Sequence, residues 1–240
     1  MSFKVLMYHE IRNGIVQGLE IDVANGYQDV LPKVLYSPID SFKKQMIYLK
    51  QKNYYFMSAQ DLVDFYENGK VLPHKAILIT FDDGFQSQYL NAYPILKELD
   101  IPAVMFFIGS WLFDKDKPVS ASTTRTMTHS QMNEITDVFK KAHHTFDLHN
   151  RHKFLSYDFE TLKSDFELNK PYLDYPEIFA YPFGLYNDEM AEKLHKLGIK
   201  YAFTSDPGVN NINTNPMYLS RYLAHYDMGL EVFVEMLESE

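Results

Sequence analysis

Apolar residues fall along this chain in short buried-looking runs that alternate with stretches of helical period. Phe3 to His9 reads as a first strand. Arg12 to Tyr36 has no clear period and, with Gly14, Gly18 and Gly26, is expected to be a long surface excursion. After Ser37-Pro38, Phe42, Met46 and Leu49 share one helical face. A short strand at Tyr54 to Met57 follows. Ser58 and Asp61 then form a capping-box pair for a helix carrying Leu62 and Phe65, with Gly69 as its stop. Ala76 to Phe85, AILITFDDGF, is the strongest apolar run and predicts an interior strand of a parallel sheet. A helix through Ala92, Ile95, Leu96 and Leu99 leads to Pro102 and a strand at Ala103 to Ile108.

The second half repeats the alternation. Asp114 to Thr126 is polar and loop-like, and Thr128 with Gln131 caps a helix. His144 to His149 is strand-like, and Phe159, Leu162 and Phe166 form a helical stripe. Ile178 to Tyr181 runs into Pro182 and Gly184; Asn187 opens a helix that stops at Gly198. Strands are expected at Tyr201 to Thr204 and Tyr218 to Leu223, and a last helix at Leu230 to Leu237. Strands alternating with helices mean βα units on a parallel sheet. About seven or eight such units predict an α/β fold, a closed or nearly closed barrel. No linker, repeat or low-complexity stretch divides residues 1–240, so one domain is expected.

Composition narrows the chemistry. A net charge of −9 without a basic stripe argues against a nucleic-acid partner. No apolar run approaches a membrane span. MSFKVLMYHE has no small-residue cleavage site and reads as a strand rather than a signal peptide. The expectation is a cytoplasmic chain as encoded, or a cell-surface or secreted one if a leader was removed. With no Cys, only His, Asp and Glu remain as strong metal ligands.

Two carboxylates, Asp82 and Asp83, end the strongest strand just before Gly84. An isolated Asp-Asp pair is commonly a helix cap beside a solvated carboxylate. At the C-terminal end of a barrel strand it stands where α/β folds place their chemistry. The segment HHTFDLH, His143 to His149, supplies imidazoles, with His152 close by. His144 and His149 would leave a strand on opposite faces, or a helix about 140° apart, so they can share one ion only across a loop. His149 and His152 would converge on a helix and are the rival pair.

TFDDG at Thr80 to Gly84 resembles the first motif of the polysaccharide deacetylases, the NodB-homology domain of carbohydrate esterase family 4. The resemblance implies that Asp82 is the general base and Asp83 a metal ligand. HTFDLH at His144 to His149 is similar to the second motif in the branch acting on poly-β-1,6-N-acetylglucosamine, which implies His144 and His149 as the remaining ligands. Ala180-Tyr181-Pro182-Phe183-Gly184 is similar to the family's Pro-Tyr turn, with the Phe183 N–H on the oxyanion and Tyr181 and Pro182 at the substrate. The Arg that often precedes that turn is missing, and Arg221 is expected to replace it. Leu223-Ala224-His225 resembles the last motif, implying Leu223 as a pocket wall and His225 as the general acid. The resemblance reaches from MYHEI at Met7 to His225. It implies a deformed (β/α) barrel of NodB type and a metal-dependent N-deacetylase of a glycan rich in N-acetylglucosamine. Zn is the default ion, with Ni, Co or Fe also accepted. The alternatives are the same chemistry on chitooligosaccharide, peptidoglycan or a cyclic imide, and a sugar-binding module that has lost turnover.

Overall fold

The structure is a computed structural model and describes residues 1–238. Eight strands build the barrel: β1 (Ser2–Tyr8), β2 (Tyr55–Met57), β3 (Ala76–Asp83), β4 (Ala103–Phe107), β5 (Phe139–His143), β6 (Tyr175–Ala180), β7 (Tyr201–Phe203) and β8 (Tyr222–Leu223). Their sheet runs β7-β6-β5-β4-β3-β1 in parallel, with β8 beside β1 and β2 beside the start of β3. Among the described residues there are seven α-helices: α1 (Ile39–Gln51), α2 (Ala59–Glu67), α3 (Tyr93–Glu98), α4 (His129–Glu134), α5 (Phe159–Asn169), α6 (Asp188–Lys196) and α7 (Leu230–Glu238). No helix among the described residues is long and apolar enough to cross a membrane.

β3 is buried along its whole length, as a strand covered on both faces must be. Its alternation sorts the core. Ile77, Ile79 and Phe81 pack outward with Phe42, Met46, Ile95 and Leu96 of α1 and α3. Ala76 and Leu78 join Phe3, Val5, Val104, Phe106, Ile178, Ala180 and Phe203 in the interior, which Leu62 and Phe65 of α2 help to fill. Continuing the inward set leads through Thr80 to Asp82.

The barrel closes late and thinly. The last strand, expected at Tyr218 to Leu223, is divided. Pro216–Tyr218 is a 3₁₀ turn, Leu219 bridges to Phe203 of β7, and only Tyr222 and Leu223 pair with β1. Between them the Arg221 N–H bonds Asp206 O at 2.9 Å, which takes that residue out of the ladder.

Three further expectations change. The Arg12 to Tyr36 excursion and the Asp114 to Thr126 loop combine: Leu19–Asp22 pairs with Val30–Leu31 and with Thr123–Arg125 in a small separate sheet. Arg12 fastens it by donating to Ser120 O and Thr123 O at 2.7 and 3.0 Å. His144 to His149 is not a strand: β5 ends at His143 and the chain turns at Thr145, whose φ is +74°. The helix expected through Ala92 begins as a π-helical turn, Gln88–Ala92, before α3. The capping boxes Ser58/Asp61 and Thr128/Gln131 both form as the sequence predicts.

Candidate active site

The two carboxylates end β3 where the backbone leaves the extended region. Asp83 has φ +71° and Gly84 φ +72°. In a regular strand the neighbours would face opposite ways. The left-handed Asp83 breaks that alternation, so both carboxylates line one cavity of about 300 Å3. Glycine suits the next position: besides its φ, a Cβ there would stand 3.3 Å from the Phe107 Cβ.

Asp82 is bound bidentately by Arg221, Nη1 to Oδ1 at 2.7 Å and Nη2 to Oδ2 at 2.8 Å. Arg221 is fully buried, and its Nε donates to Thr204 O at 2.8 Å. Burial alone would raise the Asp82 carboxyl; the adjacent Arg221 charge outweighs it and holds the group below the usual carboxylate range. This is the geometry a deep carboxylate needs to stay ionised.

Asp83, His144 and His149 form a second, distinct cluster. Each offers a ligand atom within 4.8 Å of the other two, and all three are buried. Thr145, a β-branched residue in the left-handed region, turns the chain between the imidazoles and so brings them to one side. His144 Nδ1 donates to Ala180 O at 2.8 Å, which turns Nε2 toward Asp83 Oδ1 at 3.5 Å. His149 Nε2 lies 3.7 Å from the same oxygen. Burial lowers the His149 imidazole to about 3, so at neutral pH it is an uncharged donor. Burial would raise Asp83, but the surrounding imidazoles outweigh it and hold it at about 2. Two imidazole nitrogens and one carboxylate oxygen that converge with an open side fit a divalent cation.

The loop that carries the two histidines is held from α5. Asp165 accepts from the Phe146 and Asp147 N–H groups, each at 2.7 Å, and Asn169 Nδ2 donates to Thr145 O at 3.0 Å. Burial pushes Asp165 up to about 6, against the pull of the Phe146, Asp147 and Leu148 N–H groups that make its charge tolerable. Asp165→Asn replaces a lone pair by an N–H that opposes the loop. Metal affinity is expected to fall about 10–100-fold, as for other outer partners of ligands. Titration of the metal-depleted protein measures this, and unchanged affinity would show the loop to be held by other contacts.

The other candidate residues divide. Tyr181, Phe183 and Leu223 line the cavity, whereas Pro182 is buried in the turn behind it. Phe183 has φ +57°; its ring lies 4.2 Å from the His149 ring and 4.6 Å from the Arg151 guanidinium. His143 points away, stacked on Phe166 at 4.0 Å, and His152 is exposed on a turn. His225 is half-buried after β8 and does not line the cavity. Besides His144 and His149, the imidazole that does is His9, with Nε2 3.9 Å from Asp82 Oδ2. Its sequence signal is its place at the C-terminal end of the first strand, the same kind of place Asp82 holds on β3. Trp111, edge-on to His149 at 4.9 Å and stacked on Tyr27 at 5.3 Å, also lines the cavity. As the sole Trp of an aromatic-rich chain it carries a compositional hint and no positional one.

A model of the family described as polysaccharide deacetylase matches residues 69–202, the stretch that holds both carboxylates and both imidazoles. The chain belongs to the polysaccharide deacetylase family. The deacetylase is 31% identical over 216 residues to a poly-beta-1,6-N-acetyl-D-glucosamine N-deacetylase of Staphylococcus epidermidis, covering 85% of this chain and 72% of that one. Two solved structures share its fold. The deacetylase PplD of Streptococcus pyogenes, in complex with acetate, has TM-score 0.76 at 23% identity over 100% of this chain and 99% of that one. IcaB from Ammonifex degensii has TM-score 0.76 at 22% identity over 99% and 97%.

Proposed function

We propose that this deacetylase removes N-acetyl groups from β-1,6-linked N-acetylglucosamine residues of a polysaccharide. The observation that carries the reading is one cleft in which an ionised, Arg-clamped Asp82 stands beside the Asp83–His144–His149 cluster. A binding module needs neither feature, since neither recognises a sugar hydroxyl. The absent turn Arg, which favours a module without turnover, is offset by Arg221 arriving on Asp82 from β8's side of the barrel. The relative in S. epidermidis supports the substrate.

Asp83, His144 and His149 would hold the metal, and zinc is the proposed ion because two nitrogens and one oxygen suit it, with nickel, cobalt or iron as alternatives. Bound there, a divalent ion polarises the acetamide carbonyl and makes water more acidic. Asp82 takes a proton as a water oxygen bonds to the carbonyl carbon. The Phe183 N–H steadies the developing oxyanion. The C–N bond then breaks as the amine nitrogen receives a proton, leaving glucosamine and acetate. His9 is the residue proposed to deliver that proton, because its Nε2 is 3.9 Å from the carboxylate that collected it. Tyr181 and Leu223, which line the cavity, would wall the sugar.

Acetate release from β-1,6-linked N-acetylglucosamine oligomers, with β-1,4-linked oligomers as comparison, tests the reaction and the linkage. His9→Ala is expected to lower turnover about 10²–10⁴-fold, the usual worth of a positioned acid, with metal content unchanged. His225→Ala should leave turnover within about twofold. The reverse ranking would return the acid role to His225, and no acetate from any oligomer would remove the reading.

A further inference from the structure

We infer that Gln88 is a positioning residue that sets the spacing between Asp82 and His9; the inference rests on the function proposed above. β1 and β3 pair in parallel up to Tyr8 and Phe81. One residue further stand His9 and Asp82, and there the ladder stops. β1 turns out of the barrel, and its continuation, Glu10–Ile11, pairs instead with Tyr36–Ser37. Asp82 stays in the sheet through its register with Phe106. The proposed acid and base are therefore neighbours at the point where two strands part, one residue past the last paired register.

The Gln88 carboxamide occupies that gap. Its Nε2 donates to His9 O at 2.9 Å and to Asp82 O at 2.7 Å. Both partners are carbonyls, which accept only, so the amide cannot be the other way round. Gln88 is fully buried, and its Oε1 is buried without a partner among the described residues. A buried acceptor left unmade is a cost that packing does not repay, and an apolar side chain of similar shape would avoid it. The residue opens the π-helical turn Gln88–Ala92, a rare conformation that often marks functional sites. Its neighbours on that segment grip the same departing strand. The Ile11 N–H donates to Ser87 Oγ at 2.9 Å, and Asn91 Nδ2 donates to Ile11 O at 2.8 Å. Of these three side chains, only Gln88 also reaches β3 and so joins the two residues that move the proton.

The separation matters because the same proton must be collected at Asp82 and delivered from His9. A shift of a few tenths of an ångström changes both reaches at once. Gln88→Met keeps the length of the side chain and removes both N–H donors.

The test measures acetate release, bound metal and pH dependence for wild type, Gln88→Met, His9→Ala and the double variant. Gln88→Met is expected to lower kcat about tenfold with KM and metal content unchanged, and to shift the pH profile. In the His9→Ala background the same change should add less than about twofold, because Gln88 acts through the pair already broken. Asn91→Ala, which loosens the same strand without touching Asp82, should keep kcat within about twofold. If Gln88→Met does not fold, Gln88→Asn keeps the amide but shortens its reach, and should show the same pattern at smaller size. Equal loss in both backgrounds, loss of metal, or wild-type kcat in Gln88→Met would each overturn the inference. An inactive wild type would instead remove the proposed function.

Discussion

Asp83→Ala, His144→Ala and His149→Ala are each expected to release the metal and to bring acetate release down to the level of the metal-depleted protein. The reason lies in the number of donors. Three atoms within 4.8 Å of one another are the minimum for a catalytic site that keeps an open position, and two cannot hold an ion against solvent. His144→Ala also frees the Ala180 carbonyl, which loses its 2.8 Å donor. Asp83→Ala has a distinguishing sign. In the metal-free protein the Asp83 carboxyl is held below its ordinary value, so its charge adds stability at neutral pH that the variant lacks, and the difference should shrink as pH falls below the unfolded pKa of about 4. A fold defect would cost stability at every pH. Elemental analysis of purified variants, with thermal unfolding before and after chelation, reads both quantities. His152→Ala should retain the ion; an ion lost with His152 and kept without His149 would overturn the assignment.

Arg221→Ala is expected to be the most destabilising single change at the site, by about 3–5 kcal/mol, because it strands a buried carboxylate. Arg221 is fully buried and makes two short bonds to Asp82 and one to Thr204 O. The pH dependence follows from the direction of the Asp82 shift. Burial pushes its pKa up and Arg221 pulls it below the ordinary value. A depressed carboxyl adds stability above its unfolded pKa, about 4, and that stability is lost as pH falls through the lower folded value. Without Arg221 the burial effect dominates, the Asp82 pKa rises, and the acid limb of activity moves to higher pH. Metal content should not change, since Arg221 touches no ligand. Arg221→Lys restores the charge but not the fork, so it should recover stability better than turnover. An unmoved acid limb in Arg221→Ala would show that the pair does not govern Asp82.

Much of this arrangement is legible in the sequence because its signals are local. The run Ala76 to Phe81 reads as a buried strand since all its residues are apolar or β-branched, and Gly84 marks the turn that follows. Ser58/Asp61 and Thr128/Gln131 are readable as caps because both partners of each box lie three residues apart. What stays hidden is what depends on distant pairing. Leu19–Asp22 and Thr123–Arg125 are too short to show a period, and they become strands only through each other. The choice between His9 and His225 is of the same kind. Each is an isolated His beside a barrel strand, and β1 and β8 are themselves neighbours, so linear position cannot separate them. Only the side-chain positions around the cavity do.

The thin seam formed by Leu219 and β8 has a consequence for the order of assembly. Arg221 lies in that seam, 139 residues along the chain from the carboxylate it neutralises. Until the seam closes, Asp82 has no counter-charge, and desolvating it opposes collapse of the barrel interior around it. Closing that joint is thus what makes the charged interior tolerable. Closure and competence for the reaction then arise in one cooperative step, of high contact order and correspondingly slow. A chain that has not yet brought Arg221 to Asp82 lacks the counter-charge and, with it, the assembled site.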